Sequence, residues 1–100
     1  MNAEIQAIKS ELEQRDLLEL ANRVARAYDV TVDELLSRTH RRDVSHARQV
    51  LWAVLSARGH WSQPRLGALF RRDHQTIAFG LAKVPMAEVR RFEQTPEVSR

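Results

Sequence analysis

Apolar residues recur every three or four positions along most of the chain, and this spacing predicts an all-α fold. Ile5, Ile8 and Leu12 form a first stripe, and a second stripe follows it out of phase. Residues 16–28 are therefore predicted to be a core helix, preceded by a helical arm over residues 1–14. We expect the arm to direct its stripe away from that helix. The stripe would pack either on a partner chain, as a homodimer, or on the domain's own flank.

Capping and stop signals predict the remaining helices. A capping box at Thr31 and Glu34 begins a one-turn helix that ends near Ser37. Asp43 is the expected cap of a long helix that Gly59 stops after residue 58. Shorter helices follow at residues 63–69, capped by Ser62, at residues 74–84, capped by Asp73 and stopped by Pro85, and at residues 86–92.

The helices at 63–69 and 74–84 have the layout of a DNA-binding helix-turn-helix, in which the second helix enters the major groove. That helix begins with His74, Gln75 and Thr76, whose side chains can hydrogen-bond to base edges. Asp73, just before them, can accept a hydrogen bond from a cytosine amino group as well as cap the helix. For each of these residues, a solvated surface role remains the alternative.

Charge is distributed unevenly along the chain. Residues 1–37 carry four basic and eight acidic side chains, a net charge of −4. Residues 38–83 carry nine basic and two acidic side chains, a net charge of +7, while residues 84–100 are balanced. Nearly all the cations are arginine, which a GC-rich genome also favours, but codon bias does not explain their clustering. The uneven charge predicts that one face binds a polyanion.

Several of the basic residues are candidates for contact with phosphate or with the minor groove of DNA. Three arginines lie within the five-residue basic loop (residues 38–42) that precedes the long helix, a position that favours such contacts. Others lie on the helices or in the turn of the helix-turn-helix, where phosphate contact is expected. The candidates from charge and position are Arg38, Arg41, Arg42, Arg48, Arg58, Arg65, Arg71 and Arg72.

Composition excludes several other classes of protein. The absence of cysteine rules out disulfides and thiolate metal sites, and no apolar run is long enough to span a bilayer. The N-terminus lacks the features of a signal peptide, so a cytoplasmic, nucleoid-associated protein is expected. The four histidines share no metal-binding spacing, and no catalytic arrangement is recognisable. We therefore expect no enzyme, metal, cofactor or membrane partner, and one domain over residues 15–93 with a frayed tail at 94–100.

From residue 24 to residue 84 the chain resembles the C-terminal DNA-binding domain of the bacterial replication initiator DnaA. An Ala-Arg-Gln core in the long helix and an Arg-Asp-His signature at the recognition helix carry much of the resemblance. No Gly-rich loop with Lys and Ser/Thr is present, so neither a nucleotide site nor an ATP-driven initiator is expected. The matching segments are residues 24–30, 32–38, 44–50, 62–67 and 72–77.

The resemblance implies roles for individual positions. Residues equivalent to Asp73, His74 and Thr76 approach base edges in the family, and the equivalent of Pro64 contacts a thymine methyl. The residue at the position of His40 enters the minor groove as an arginine. Here Arg41 and Arg42 lie beside that histidine, so which side chain enters the groove stays open. Positions equivalent to Arg48 and Gln49 lie near the phosphates and the groove.

The turn of the helix-turn-helix departs from the family pattern. The family usually has two glycines between the turn phenylalanine and the signature arginine, whereas here Arg71 alone separates Phe70 from Arg72. The turn is thus one residue shorter and lacks the conformational freedom of glycine, which puts the angle of the recognition helix in doubt.

Two function classes remain open. The first is a protein that binds double-stranded DNA sequence-specifically, as a small regulator of transcription or replication at initiator-like sites. The second is a protein-interaction module that uses the same fold to bind a replication or transcription protein. The strongly basic central segment favours DNA, and affinity that falls steeply with salt would distinguish the first class from the second.

Overall fold

The computed structural model describes residues 2–93, and this part of the chain is built from α-helices with no strand, which confirms the predicted all-α fold. The tail predicted at 94–100 lies outside the described residues. No helix in this part is both long enough and apolar enough to cross a lipid bilayer. The helices are α1 (Ala3–Gln14), α2 (Leu18–Ala27), α3 (Val32–Leu36), α4 (Arg42–Ala57), α5 (Gln63–Phe70), α6 (His74–Ala82) and α7 (Met86–Glu93).

Helix α1 packs on the domain itself, the second of the two placements expected for the arm, but the expectation that its stripe points away from the core helix is wrong. Asn2 caps it by accepting two backbone hydrogen bonds, at 2.8 and 3.1 Å. Its stripe of Ile5, Ile8 and Leu12 is buried in the same core as the apolar residues of α2. The two stripes differ in phase because Asp16, with a φ of 63°, separates the helices. Since the chain itself covers this stripe, α1 offers no free apolar stripe to a second copy.

The capping box of α3 is confirmed. The Thr31 hydroxyl accepts a hydrogen bond from the Glu34 amide at 3.0 Å, and the Glu34 carboxylate accepts one from the Thr31 amide at 2.9 Å. By contrast, the predicted cap of α4 is wrong, because Arg41 occupies the N-cap position and Asp43 lies in the first turn. The Asp43 carboxylate pairs with the Arg41 guanidinium instead, at 3.0 Å.

Helix α4 is the central element of the fold and contacts α2, α3, α6 and α7. Its predicted inner face is fully buried, and the helix ends at Ala57, one residue before the predicted end. Gly59 follows with a φ of 85°, the left-handed conformation in which glycine carries no steric penalty. The buried residues that were predicted are Val44, Ala47, Leu51, Val54 and Leu55.

Helices α5 and α6 form the helix-turn-helix. Ser62 caps α5 by accepting a hydrogen bond from the Arg65 amide at 3.3 Å, as predicted. The turn is tight because Gly67 lies directly under it, and a Cβ there would approach the Arg72 carbonyl oxygen to 2.5 Å. Arg71 adopts a left-handed conformation with φ 61° and ψ 47°. The shorter turn is therefore accommodated by an arginine in a conformation that favours glycine.

Helix α7 closes the core by packing against α2 and along α4. Val89 and Phe92 are buried, and Glu88 lies between two polar partners. Its Oε1 accepts a hydrogen bond from the Tyr28 hydroxyl at 2.5 Å and lies 2.7 Å from His46 Nε2. Burial, together with the hydrogen bond to Glu88, raises the pKa of Tyr28 to about 12. This contact joins α7 to both long helices of the core.

Candidate nucleic-acid interface

The N-terminus of α6 projects into solvent with the predicted base-contacting side chains exposed. Ile77 and Gly80, about one turn apart, form the buried face of the helix. His74, Gln75 and Thr76 precede the first buried position, and all are exposed. Their hydrogen-bonding groups are therefore available to the base edges of a duplex.

Asp73 occupies the predicted N-cap position of α6, but its carboxylate makes no capping hydrogen bond. The side chain turns toward His74, with Oδ1 3.9 Å from Nδ1, and is 63% exposed. The prediction that this carboxylate caps the helix is therefore wrong. No side chain of the described residues accepts from the first amides of α6, so this end of the helix keeps the positive partial charge of its dipole.

Arg48 is buried, whereas a contact with a DNA phosphate would require an exposed side chain. It is only 7% exposed, and it donates hydrogen bonds to the Leu35 carbonyl at 2.9 Å and to the Thr39 carbonyl at 3.2 Å. Burial, aided by the charges of Arg72 and Arg38, lowers the pKa of Arg48 to about 10, so the group remains charged at neutral pH. Its structural role is to hold the basic loop against α4.

Arg38 and Arg72 also connect the basic loop to the turn of the helix-turn-helix. Arg38 donates to both carboxylate oxygens of Glu4, at 3.0 and 2.9 Å, and to the Arg71 carbonyl at 3.0 Å. Arg72 donates to the Ser37 carbonyl at 2.7 Å. Burial, and then the charge of Arg38, lowers the pKa of Arg72.

The three side chains Arg38, Arg48 and Arg72 form what we call the arginine cluster. Like-charge repulsion within it is evident, because the Arg38 charge lowers the pKa of both Arg48 and Arg72. Among the described residues, Glu4 is the single carboxylate paired with the cluster. The fold thus concentrates positive charge beside the recognition helix without neutralising it fully.

The basic loop contains two arginines that pair with carboxylates, Arg38 and Arg41, and residues that form no such pair within the described part of the chain. Arg41 contacts Glu34 at 3.1 Å and Asp43 at 3.0 Å. Arg42 and His40 are exposed, and neither makes an ion pair with any residue in the range 2–93. Arg42 is therefore the loop arginine with an uncommitted guanidinium.

A groove of about 210 Å³ between α4 and α6 brings several predicted residues together. His40 from the basic loop, Gln49 from α4 and Thr76 from α6 all line it. Sequence reasoning missed Phe79 and Lys83, which line the same groove. Their spacing from Thr76, three and seven residues, is the available signal, because it places all three on one face of α6. Together these residues connect the loop to the recognition helix.

The remaining candidates lie away from this groove. Arg65 and Arg71 line a second hollow of about 280 Å³, in which the Arg65 guanidinium lies 4.6 Å from the centre of the Trp61 ring. Pro64 is exposed in the first turn of α5, as predicted. Arg58 follows the last residue of α4, about 24 Å from the basic loop at 1.5 Å per residue. The structure therefore separates Arg58 from the basic loop.

The elements around this surface define a helix-turn-helix domain with a basic loop beside its recognition helix. The family profile described as the bacterial DnaA protein helix-turn-helix matches residues 19–84. The chain belongs to this family. Helix α1 lies outside the matched segment, although it supplies Glu4 to the arginine cluster.

Curated relatives agree with the family match. The chain is 37% identical over 71 residues to the chromosomal replication initiator protein DnaA of Synechocystis sp., covering 70% of the chain and 16% of that protein. It is 31% identical over 93 residues to the protein of the same name from Gloeobacter violaceus, covering 92% of the chain and 20% of the relative. The chain thus spans about a fifth or less of these relatives. No solved structure matches it.

Proposed function

We propose that this chain binds double-stranded DNA sequence-specifically, with α6 in the major groove. The observation that carries the proposal is the exposure of His74, Gln75 and Thr76 at an uncapped helix N-terminus beside the arginine cluster. A duplex offers base edges to these side chains and phosphates to the exposed arginines around the cluster, Arg42, Arg65 and Arg71. Phosphate also relieves the repulsion within the cluster, which a neutral partner would not do.

Each exposed residue has a contact that suits its chemistry. His74, Gln75 and Thr76 hydrogen-bond to base edges, and Asp73 accepts from a cytosine amino group. Pro64 packs against a thymine methyl, in accordance with the family resemblance. These contacts select the sequence, whereas the cations fix the position of the domain on the duplex.

The free cations bind the backbone on either side of the recognition helix. We assign Arg42, rather than His40 or the paired Arg41, to the minor groove beside the major-groove contact, because its guanidinium is exposed and unpaired within residues 2–93. Arg65 and Arg71 contact phosphates near the start and the end of α5. Arg48 takes no direct part, because it is buried.

In biological terms, we propose a small regulator of transcription or replication that occupies initiator-like sites in the nucleoid, including by competition with an initiator. The proposal includes no homodimer through residues 1–14, because their apolar stripe is buried within the chain. Displacement of an initiator from a shared duplex at equal occupancy would support competition. Simultaneous binding of both proteins to one site would contradict it.

Selection of duplexes from a random pool tests the proposal directly. We expect recovery of one motif, and an affinity for it that falls with salt at a slope of about −3 in log–log form if Arg42, Arg65 and Arg71 each neutralise one phosphate. A recovered pool without any motif would remove sequence specificity. The absence of binding to any duplex at low salt would instead favour the protein-interaction module.

A further inference from the structure

Phe79 is exposed on the outer face of the recognition helix, where an aromatic side chain has no structural role. It is 68% exposed, and the other large hydrophobic residue with high exposure in residues 2–93, Met86, lies outside the groove between α4 and α6. Phe79 lines this groove, three residues after Thr76 and four before Lys83. It therefore belongs to the same surface as a proposed base contact.

The packing of α6 on α4 keeps Phe79 in this position. The neighbouring residue, Gly80, faces α4 so closely that a Cβ there would lie 2.8 Å from the Trp52 ring. Because successive residues of a helix are rotated by about 100°, Gly80 on the inner face turns Phe79 outward.

The surroundings of Phe79 indicate its ligand. The groove is otherwise lined mainly by hydrogen-bonding and cationic side chains, including His40, Gln49 and Lys83. An apolar protein surface would leave these groups without partners, whereas the major groove of DNA offers acceptors, phosphates and one apolar group, the 5-methyl of thymine.

We propose that Phe79 is a specificity determinant that packs against the 5-methyl group of a thymine. This inference rests on the proposed DNA binding. Phe79 lies about 4.5 Å further along the helix axis than Thr76, at 1.5 Å per residue. Since base pairs are about 3.4 Å apart, its thymine lies one or two base pairs from the position that Thr76 contacts. Lys83, one turn further on, then meets a phosphate.

Replacement of individual thymines by deoxyuridine tests this contact, because it removes the methyl group and leaves base pairing unchanged. In the duplex selected by the wild-type chain, we expect one position where the substitution weakens binding about fourfold, the value of one buried methyl. Phe79→Ala should bind the thymine and deoxyuridine duplexes equally at that position. Phe79→Leu should retain part of the discrimination, and the matched control Met86→Ala should retain all of it.

The outcomes separate this contact from DNA binding as a whole. If wild type and Phe79→Ala discriminate equally between the thymine and deoxyuridine duplexes, the proposed contact is overturned, while DNA binding by the domain stands. Equal weakening of Phe79→Ala on every duplex would also overturn it, since that result indicates contact with the backbone. Failure of the wild-type chain to bind any duplex would overturn the proposed function itself, before any variant is compared.

Discussion

Arg48 and Arg42 lie on the same helix, less than two turns apart, but their roles differ. Arg48 is buried and donates to two carbonyl groups, whereas Arg42 is exposed and unpaired within the described residues. The same division holds across the whole interface. The arginine cluster holds the basic loop to the helix-turn-helix, and the exposed arginines around it remain available to phosphate. A count of basic residues therefore overestimates how many can bind DNA.

The two groups also differ in what a substitution should change. A buried, hydrogen-bonded arginine supports the position of the backbone, so its loss affects folding and affinity together. An exposed arginine affects affinity through phosphate contacts, and its loss should appear in the salt dependence. Stability and salt slope, measured on the same variants, distinguish the groups.

The largest effect is expected for Arg48→Ala. The variant leaves the Leu35 and Thr39 carbonyls without their donors and should lower the free energy of unfolding by about 2 kcal/mol, after some relief of repulsion within the cluster. Affinity for DNA should also fall because the basic loop is displaced. Arg48 itself contacts no phosphate, so the salt slope should decrease at most by the contribution of Arg42, which the displaced loop carries away from the duplex.

Urea unfolding and salt titrations would measure both quantities, with Arg48→Lys as the matched control. Lysine keeps the charge but lacks the planar fork that reaches both carbonyls, so it should restore only part of the stability. A variant with normal stability and a smaller salt slope would show that Arg48 binds phosphate after all.

His74→Ala should have the next largest effect, and only on recognition. The side chain is 60% exposed, so the free energy of unfolding should be unchanged. Affinity for the selected duplex should fall by about 1–3 kcal/mol, and preference should relax at one or two positions. Competition assays with matched and scrambled duplexes would measure this. Equal weakening on scrambled DNA would assign His74 to the backbone instead.

Arg71→Gly should separate stability from binding. The left-handed conformation at φ 61° is unfavourable for arginine, so glycine should raise the free energy of unfolding by about 0.5–1 kcal/mol. The variant should nevertheless bind all duplexes more weakly, with a salt slope smaller by about 0.9. Arg42→Ala is the control, with a similar change in slope and no gain in stability. Unchanged DNA binding by Arg71→Gly would remove this side chain from the interface.

Local signals in the sequence predicted most of the helices. The capping box at Thr31 and the cap at Ser62 act within four residues of chain, so the sequence displays them completely. The exposure of His74 and Thr76 also followed from their place before the first buried position of α6. The cap assigned to Asp43 failed because α4 begins at Arg42 and places Asp43 in the first turn, and the cap assigned to Asp73 failed because its carboxylate makes no capping hydrogen bond.

The division of the arginines was predictable only in part, because the pairing of Arg38 depends on contacts between distant segments. Arg38 meets Glu4 across 34 positions of sequence and the Arg71 carbonyl across 33. Arg48 is buried under α3 and the basic loop. Its place four residues after Val44 and three before Leu51, on the buried face of α4, was a signal for this burial in the sequence.

Loss of the contact between Glu4 and Arg38 has the smallest predicted effect. It tests whether Arg38 belongs to the structural arginines or to those that bind DNA. The hydrogen bonds that Arg38 donates to the Glu4 carboxylate hold the pKa of Glu4 below the usual 4.5. A carboxyl group whose pKa is lower in the folded state stabilises the fold above the unfolded pKa and loses this effect as the pH falls through the folded pKa. Glu4→Gln should therefore melt at a slightly lower temperature than wild type at pH 7, and the difference should narrow at pH 3.

Thermal melts of both proteins at the two pH values would measure the difference, with Glu13→Gln as a control from the same helix. A gap that is equally large at pH 3 would mean that Glu4 stabilises α1 by some means other than its charge. If the gap narrows as expected, the N-terminal helix, outside the segment that the family profile matches, helps to position the interface through Arg38. Arg38 would then belong with Arg48, as an arginine with a structural role.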